Sequence, residues 1–302
     1  MNLSVGLPTP GAGTIDEFAT GSAIAEMAAA AEAAGFHAVF VTEHPFPDDE
    51  WLASGGHHAL DPMVALAYAA AATTTIRLQT NLYIPAYRNP FLSAKAVASL
   101  DALSGGRVVL GIGTGYLEPE FEALGVAFEE RNDLTDEAIV AMKQAWASDG
   151  VDFEGRHFSA RGHTMLPRPV QQPHPPIWVG GNSKRAIRRA VELGDGWIPL
   201  VNPAKAVERR RTPAVETLDD LSERIVYARE HAASVGRASP LGIMFALGGL
   251  RFEGGLVDLA AHLRDVGVTE LYTATRPVGT RAEWLSQVDR MGADLLPEIA
   301  AL

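Results

Sequence analysis

The chain has 302 residues, 47% hydrophobic, 21% charged and 7% aromatic, a composition that supports a large core and excludes disorder. Its 25 Lys and Arg against 37 Asp and Glu leave a formal net charge of −12, which argues against nonspecific attraction to nucleic acid or to an anionic membrane. The absence of cysteine excludes disulfides, thiolate metal sites and a cysteine nucleophile, and no metal site is expected.

Short apolar runs rich in β-branched residues alternate along the chain with Ala-rich or Leu-rich amphipathic segments. A strand over residues 3–7 leads into a helix over 16–34 that Gly35 ends, then into a strand over 37–42 and a long loop, 45–60. Asp61-Pro62 starts a helix over 61–73, and a strand over 76–84 follows. Small polar residues interrupt that strand at Gln79-Thr80-Asn81, which predicts either a bulge or strained peptide aiming backbone groups at a ligand or an ordinary polar strand end. Asn89-Pro90 starts the helix over 90–103 and Gly105 ends it, ahead of a strand over 108–112 and a helix over 133–147. Residues 151–164 predict a short hairpin turning at Glu154-Gly155, and the prolines of 167–176 stiffen the approach to a strand over 177–179. A helix over 183–193 ended by Gly194, a strand over 197–201 and a helix over 217–235 come next. The pattern closes with strand 241–247, helix 256–266 ended by Gly267, strand 268–272 and helix 281–300.

Eight strand and helix units predict parallel pairing with right-handed crossovers, closed into a (β/α)8 barrel with insertions after the second strand and before the fifth. An open doubly wound sheet is the alternative. With no linker, internal repeat or low-complexity tract, one domain over residues 1–302 is expected. The first residues lack the basic and apolar segments of a secretory leader, and no stretch is apolar enough to span a bilayer, so a cytoplasmic protein without a membrane partner is expected.

In such a barrel the loops after the strands build the active site. Arg107 to Tyr116 is a buried strand emptying into Gly111, Gly113 and Gly115, three alternating glycines expected to leave backbone amides bare. This is not the dinucleotide fingerprint, because position 116 is tyrosine. His44, where the second strand exits into its long loop beside Glu43, is expected to have a ligand or catalytic role. Gly180-Gly181-Asn182-Ser183 precedes a helix at once, and bare amides at a helix N-terminus bind phosphate. Lys184, Arg185, Arg188 and Arg189 on that helix read as a solvated basic face. His57, His58 and Arg276 are candidate substrate-wall residues, with exposed polar side chains as the plainer reading.

Taken together, residues 35–44, 87–107, 111–116, 121–131 and 167–197 resemble the bacterial luciferase-like superfamily of flavin and deazaflavin oxidoreductases. The likeness covers most of residues 1–200; beyond Val201 only the strand and helix rhythm continues it. It implies a (β/α)8 barrel with an insertion before the fifth strand. Tyr87-Arg88-Asn89-Pro90, Leu103-Ser104-Gly105-Gly106-Arg107 and the segment from Pro175 to Ser183 are most similar to actinobacterial subgroups that use coenzyme F420, with FMN as the alternative cofactor. By this resemblance His44 meets the ring or the substrate, and Thr80, Asn81 and Leu82 form a bulge behind the ring, often with a non-proline cis peptide. Gly113, Thr114 and Gly115 line the ribityl chain and phosphate, while Gly180, Gly181, Asn182 and Ser183 bind the phosphate. Tyr116 stands where related F420-dependent sugar-phosphate dehydrogenases carry a glutamate, so that carboxylate's role is not carried over and a sugar phosphate is disfavoured. The expected reaction is hydride transfer between F420 and a small organic substrate, with His44 moving a proton and Tyr116 polarising a carbonyl. The alternatives are an FMN-dependent monooxygenase and a catalytically inactive F420- or flavin-binding protein. A homodimer is implied, with the Ala-rich segment 65–72 either in the interface or packed on the barrel.

Overall fold

The barrel strands are buried almost without interruption, because successive side chains point to opposite faces and both faces are covered. In the computed structural model, which describes residues 1–8 and 12–302, ten strands are present among the described residues. They are β1 (Asn2–Gly6), β2 (Ala38–Val41), β3 (Arg77–Thr80), β4 (Val108–Ile112), β5 (Val151–Glu154), β6 (Ser159–His163), β7 (Ile177–Gly180), β8 (Gly196–Ile198), β9 (Gly242–Ala246) and β10 (Glu270–Thr273). Eight of them close into a barrel in the order β1-β10-β9-β8-β7-β4-β3-β2, and every pairing in it is parallel. The open-sheet alternative is thereby excluded.

One set of strand residues, among them Val5, Val39, Leu78, Leu110, Val179, Phe245 and Leu271, packs outward against the helices in one continuous core. The other set, Val109, Trp178, Ile198 and Met244, joined by Leu82 and Tyr272, fills the barrel interior. The barrel is thus a packed core whose functional surface lies at its rim. Ala65 and Ala69 of helix Pro62–Ala72 pack into the outer core, whereas Val64 and Tyr68 on the same helix are exposed. Among the described residues no helix is long and apolar enough to cross a membrane.

β5 and β6 form an antiparallel hairpin outside the barrel, closed by the Gly155 amide donating to the Phe158 carbonyl. Glu137 pins it by accepting from the amides of His157 and Phe158 and from the His157 ring.

Local chemistry corrects several sequence expectations. The helix over 16–34 is two helices, Ile15–Phe18 and Gly21–Ala33, because Thr20 turns out of the helix and caps the second with a 3.2 Å bond from the Ala23 amide. The helix over 281–300 divides into Arg281–Asp294 and Leu296–Ala300, since Pro297 has no N–H to donate back into the first. Gly105, Gly194 and Gly267 end their helices as expected, the first and last in the left-handed conformation and Gly194 in extended backbone at φ −111°. The strand over 76–84 stops at Thr80.

Glu32, near the end of helix Gly21–Ala33, ties down the turn that feeds β3. Its Oε1 accepts from the amides of Thr74, Thr75 and Ile76 at 2.9, 2.6 and 2.9 Å and from the Thr75 hydroxyl at 3.0 Å. Burial opposes the charge, yet these donations outweigh it and lower the carboxyl from 4.5 to about 2. Because the folded value lies below the unfolded one, the stabilisation is complete above pH 4.5 and drains away as pH falls toward 2. Urea unfolding followed from neutral pH down to about pH 2 should show Glu32→Gln less stable than the parent near neutrality, with the gap narrowing below pH 4.5 as the parent loses its advantage.

Candidate active site

The C-terminal ends of the barrel strands surround a cavity of about 420 Å³. Its floor is made by an unusually close meeting of three chain segments. After β3 the backbone turns through a cis peptide between Asn81 and Leu82, and Tyr83 then bridges to Ile112. The Tyr83 amide donates to the Gly111 carbonyl at 2.8 Å, the Thr80 hydroxyl donates to that same oxygen at 2.7 Å, and the Gly113 amide returns to the Tyr83 carbonyl at 2.9 Å. A Cβ at Gly111 would strike the Thr80 carbonyl oxygen, and one at Gly180 would strike the Leu82 side chain. The glycines therefore permit approach to the bulge, and the Gly113 amide, expected to be bare, is already bonded.

Glu43, at the end of β2, locks the bulge from the other side. The Ile84 amide donates to its Oε2 at 2.6 Å, and the Arg88 guanidinium pairs with its Oε1. Burial pushes the Glu43 carboxyl up while Arg88 and the Ile84 amide pull it back. Arg88 also lies 4.5 Å from the centroid of the Tyr83 ring. The neighbouring Asn89 accepts from the Phe91 amide and caps helix Pro90–Ser104.

One wall is a polar chain. His44 Nδ1 lies 3.2 Å from Glu120 Oε2, and His44 Nε2 lies 3.3 Å from the Tyr116 hydroxyl. Glu120 has no exposed surface, yet it also accepts from the Tyr87 hydroxyl at 2.9 Å and the Phe46 amide at 3.2 Å. Burial, then the Glu120 charge, drives the Tyr87 hydroxyl far up, so it donates. With the other partners donating to the carboxylate, the network assigns the proton of neutral His44 to Nδ1 and leaves Nε2 as the acceptor facing Tyr116. The His44 ring is held edge-on to His57 at 5.1 Å and tilted on Trp51 at 4.4 Å. Burial, then the neighbouring His44 and His58, lowers His57 to about 4, so it is neutral at physiological pH.

At the opposite end the cavity reaches Gly180, Gly181 and Ser183, ahead of helix Lys184–Leu193. Ser183 caps that helix through the Ala186 amide at 3.1 Å. Asn182 is buried and turned away: its side chain spans the backbone of Leu200 and Pro213, and its amide donates to Thr212 Oγ1. Arg189 corrects the expectation of a solvated basic face, because it is 4% exposed, paired with Asp136 and part of the cavity lining.

Of the residues singled out from the sequence, the cavity brings together His44, His57, Asn81, Leu82, Gly113, Thr114, Gly115, Tyr116, Gly180, Gly181 and Ser183. Thr80 and Asn182 stand behind it as struts, and His58 is not in the lining. Arg276 is exposed, its backbone engaged by Gln287. Sequence reasoning missed Glu120, Tyr87, Arg210 and Tyr272. Glu120 is one of three acids, Glu118, Glu120 and Glu122, at alternate positions, and no local signal separates the buried one from its neighbours.

The luciferase-like monooxygenase family matches residues 1–218. An uncharacterised protein of Mycobacterium tuberculosis is 31% identical over 262 residues, spanning 83% of this chain and 84% of that one. The F420-dependent hydroxymycolic acid dehydrogenase of the same organism is 35% identical over 214 residues, 66% of this chain and 57% of that one. Among solved structures, the monooxygenase RslO1 of Streptomyces bottropensis superposes with a TM-score of 0.75 at 22% identity, over 98% of this chain and 99% of that one. The coenzyme F420-dependent tetrahydromethanopterin reductase of Methanopyrus kandleri does so with 0.74 at 16% identity, over 99% of each. The chain belongs to the luciferase-like monooxygenase family.

Replacing Arg88 by Leu strands the Glu43 carboxylate in the core and should cost about 3–5 kcal/mol in denaturant unfolding. Glu43→Gln combined with Arg88→Leu should recover a substantial part of that loss, because no uncompensated charge remains.

Proposed function

We propose, from membership of the luciferase-like monooxygenase family, that this protein is an F420-dependent oxidoreductase that moves a hydride between the deazaflavin and a small organic substrate. The observation that carries this reading is the continuity of one cavity from the glycine turn at a helix N-terminus to the His44 and Tyr116 pair. The F420-dependent relative supports the choice of cofactor.

The residues present fit such a group. Gly180, Gly181 and Ser183, with the first-turn amides of helix Lys184–Leu193, offer partial positive charge and donors to a phosphate. Gly113, Thr114 and Gly115 line the middle of the cavity, and Leu82, Ile198 and Tyr272 give an apolar bed for a planar ring. When bound, the deazaflavin supplies the hydride-carrying carbon.

The chain itself holds the substrate and manages its proton. Tyr116 is half-buried, and burial raises its hydroxyl while Arg210 opposes the rise, so near neutrality it keeps its proton and can donate to a substrate oxygen. His44 Nε2, oriented by the Nδ1 contact with Glu120, is the atom that takes or returns the proton, directly or through Tyr116. Glu120 acts through His44, and Tyr87 and the Phe46 amide hold Glu120 in turn. Trp51 and His57 pack around the imidazole and shield it from water.

Titrating the purified protein with F420 and with FMN while following cofactor fluorescence tests the reading. Micromolar binding of F420 is expected, and tight FMN binding with none of F420 would overturn it. With a substrate found by screening enones, imines, quinones and alcohols, His44→Ala should lower kcat by about 100- to 10,000-fold with little change in Tm. An unchanged kcat would remove His44 from the chemistry, and F420 binding without turnover across the panel would favour an inactive binding protein.

A further inference from the structure

Three arginines line the cavity, and they differ in what balances their charge. Arg189 pairs with Asp136, and Arg211 pairs with Glu118 at 3.3 Å. Arg210, by contrast, has no carboxylate partner among the described residues. Its Nη1 donates to the Val201 carbonyl at 3.2 Å and to Asn202 Oδ1 at 3.5 Å, and Asn202 is itself buried and tied to the Thr212 carbonyl. One corner of the guanidinium is thus anchored while Nε and Nη2 remain to be used, which is the edge that grips a carboxylate through two parallel bonds.

The position of this edge is informative. Arg210 and Arg211 diverge: Arg211 turns at φ 50° toward Glu118 and Phe128, whereas Arg210 faces the part of the cavity that holds Tyr116 and Tyr272. Its charge is felt at both tyrosine hydroxyls. The other titratable groups on this wall offer no countercharge, since Glu43 is spent on Arg88 and Glu120 on His44 and Tyr87. A half-buried cation left in this state favours a ligand that brings one negative charge.

We infer that the substrate carries a carboxylate, which Arg210 receives on its free edge while the reacting end of the molecule lies beside Tyr116 and His44. Arg209, whose charge also reaches Tyr116, is exposed and outside the cavity lining, so one unpaired guanidinium stands in the lining among the described residues and balances a monoanion, which favours a carboxylate over a phosphate dianion. The inference rests on the proposed function for the reaction, but not for the binding, which can be read without the cofactor.

Cinnamate and methyl cinnamate are suitable probes, alike in shape and differing in charge. Each is titrated into the full-length protein, with and without F420, with tryptophan fluorescence and thermal unfolding as readouts. Wild-type protein should bind the acid at least about tenfold more tightly than the ester. Arg210→Gln should erase that preference, and Arg210→Lys, a point charge without the fork, should keep part of it. Equal binding of acid and ester by the wild type, or a preference that survives Arg210→Gln, overturns the inference. Loss of F420 binding in Arg210→Gln with the acid preference intact also overturns it, because Arg210 would then serve the cofactor. If the wild type prefers the acid but does not bind F420, the proposed function fails and the carboxylate site stands. Should Arg210→Gln not fold, weakening of the wild-type preference as salt rises from about 0.05 to 0.5 M supports the charge pairing, and a salt-independent preference rejects it.

Discussion

The site depends on one steric constraint, the passage of the chain from Thr80 to Tyr83 across the ends of two neighbouring strands at a distance that leaves no room for a side chain. Gly111 admits the Thr80 carbonyl and Gly180 admits Leu82. The hydrogen bonds from Tyr83 and Thr80 to the Gly111 carbonyl, and from Gly113 back to Tyr83, fasten the crossing. Because Leu82 is wedged between the ends of β4 and β7, the glycine run after β4 and the glycine turn after β7 are joined into one floor. Their spacing follows from packing against this residue as much as from any ligand.

Two buried carboxylates carry that rigid floor into the polar wall. Glu43 binds the far side of the bulge through the Ile84 amide and Arg88, and Glu120 binds His44, Tyr87 and Phe46. The four residues from Tyr87 to Pro90 serve both and also start a helix: Tyr87 reaches Glu120, Arg88 reaches Glu43, and Asn89 caps helix Pro90–Ser104 around Pro90. A buried ion pair contributes little net stability but is costly to break from one side, so its worth here is positional. It sets where the imidazole and the cavity floor stand relative to one another.

Much of the fold was legible because hydrophobic period and capping chemistry are local. Asp61 and Asn89 cap the helices expected of them, and the hairpin at 151–164 closes where its turn residues lie. Errors arose where a local rule met a competing one. Thr20 caps a helix in place of continuing one, and Pro297 interrupts a run that its apolar spacing makes look continuous. The strand expected to run to Ile84 ends at Thr80, where the chain turns at Asn81–Leu82 and pairs again with β4 only at the Tyr83 to Ile112 bridge.

The amino-acid sequence alone determined the alternating architecture, the location of the two glycine segments at strand ends and the position of His44 just after the second strand, since each follows from residue type and spacing within a few positions. Only the tertiary structure decided which polar side chains share the cavity. Asn182 has the right neighbours in sequence, yet it spends its amide on Leu200 and Pro213. Glu120 is indistinguishable from Glu118 and Glu122 until the helix that carries it docks beside His44. Arg210 and Arg211 are adjacent and chemically identical, but the turn at Arg211 sends one to a glutamate and leaves the other uncompensated beside Tyr116. Charge pairing across tens of residues depends on the path of the backbone in three dimensions, and no local pattern encodes it.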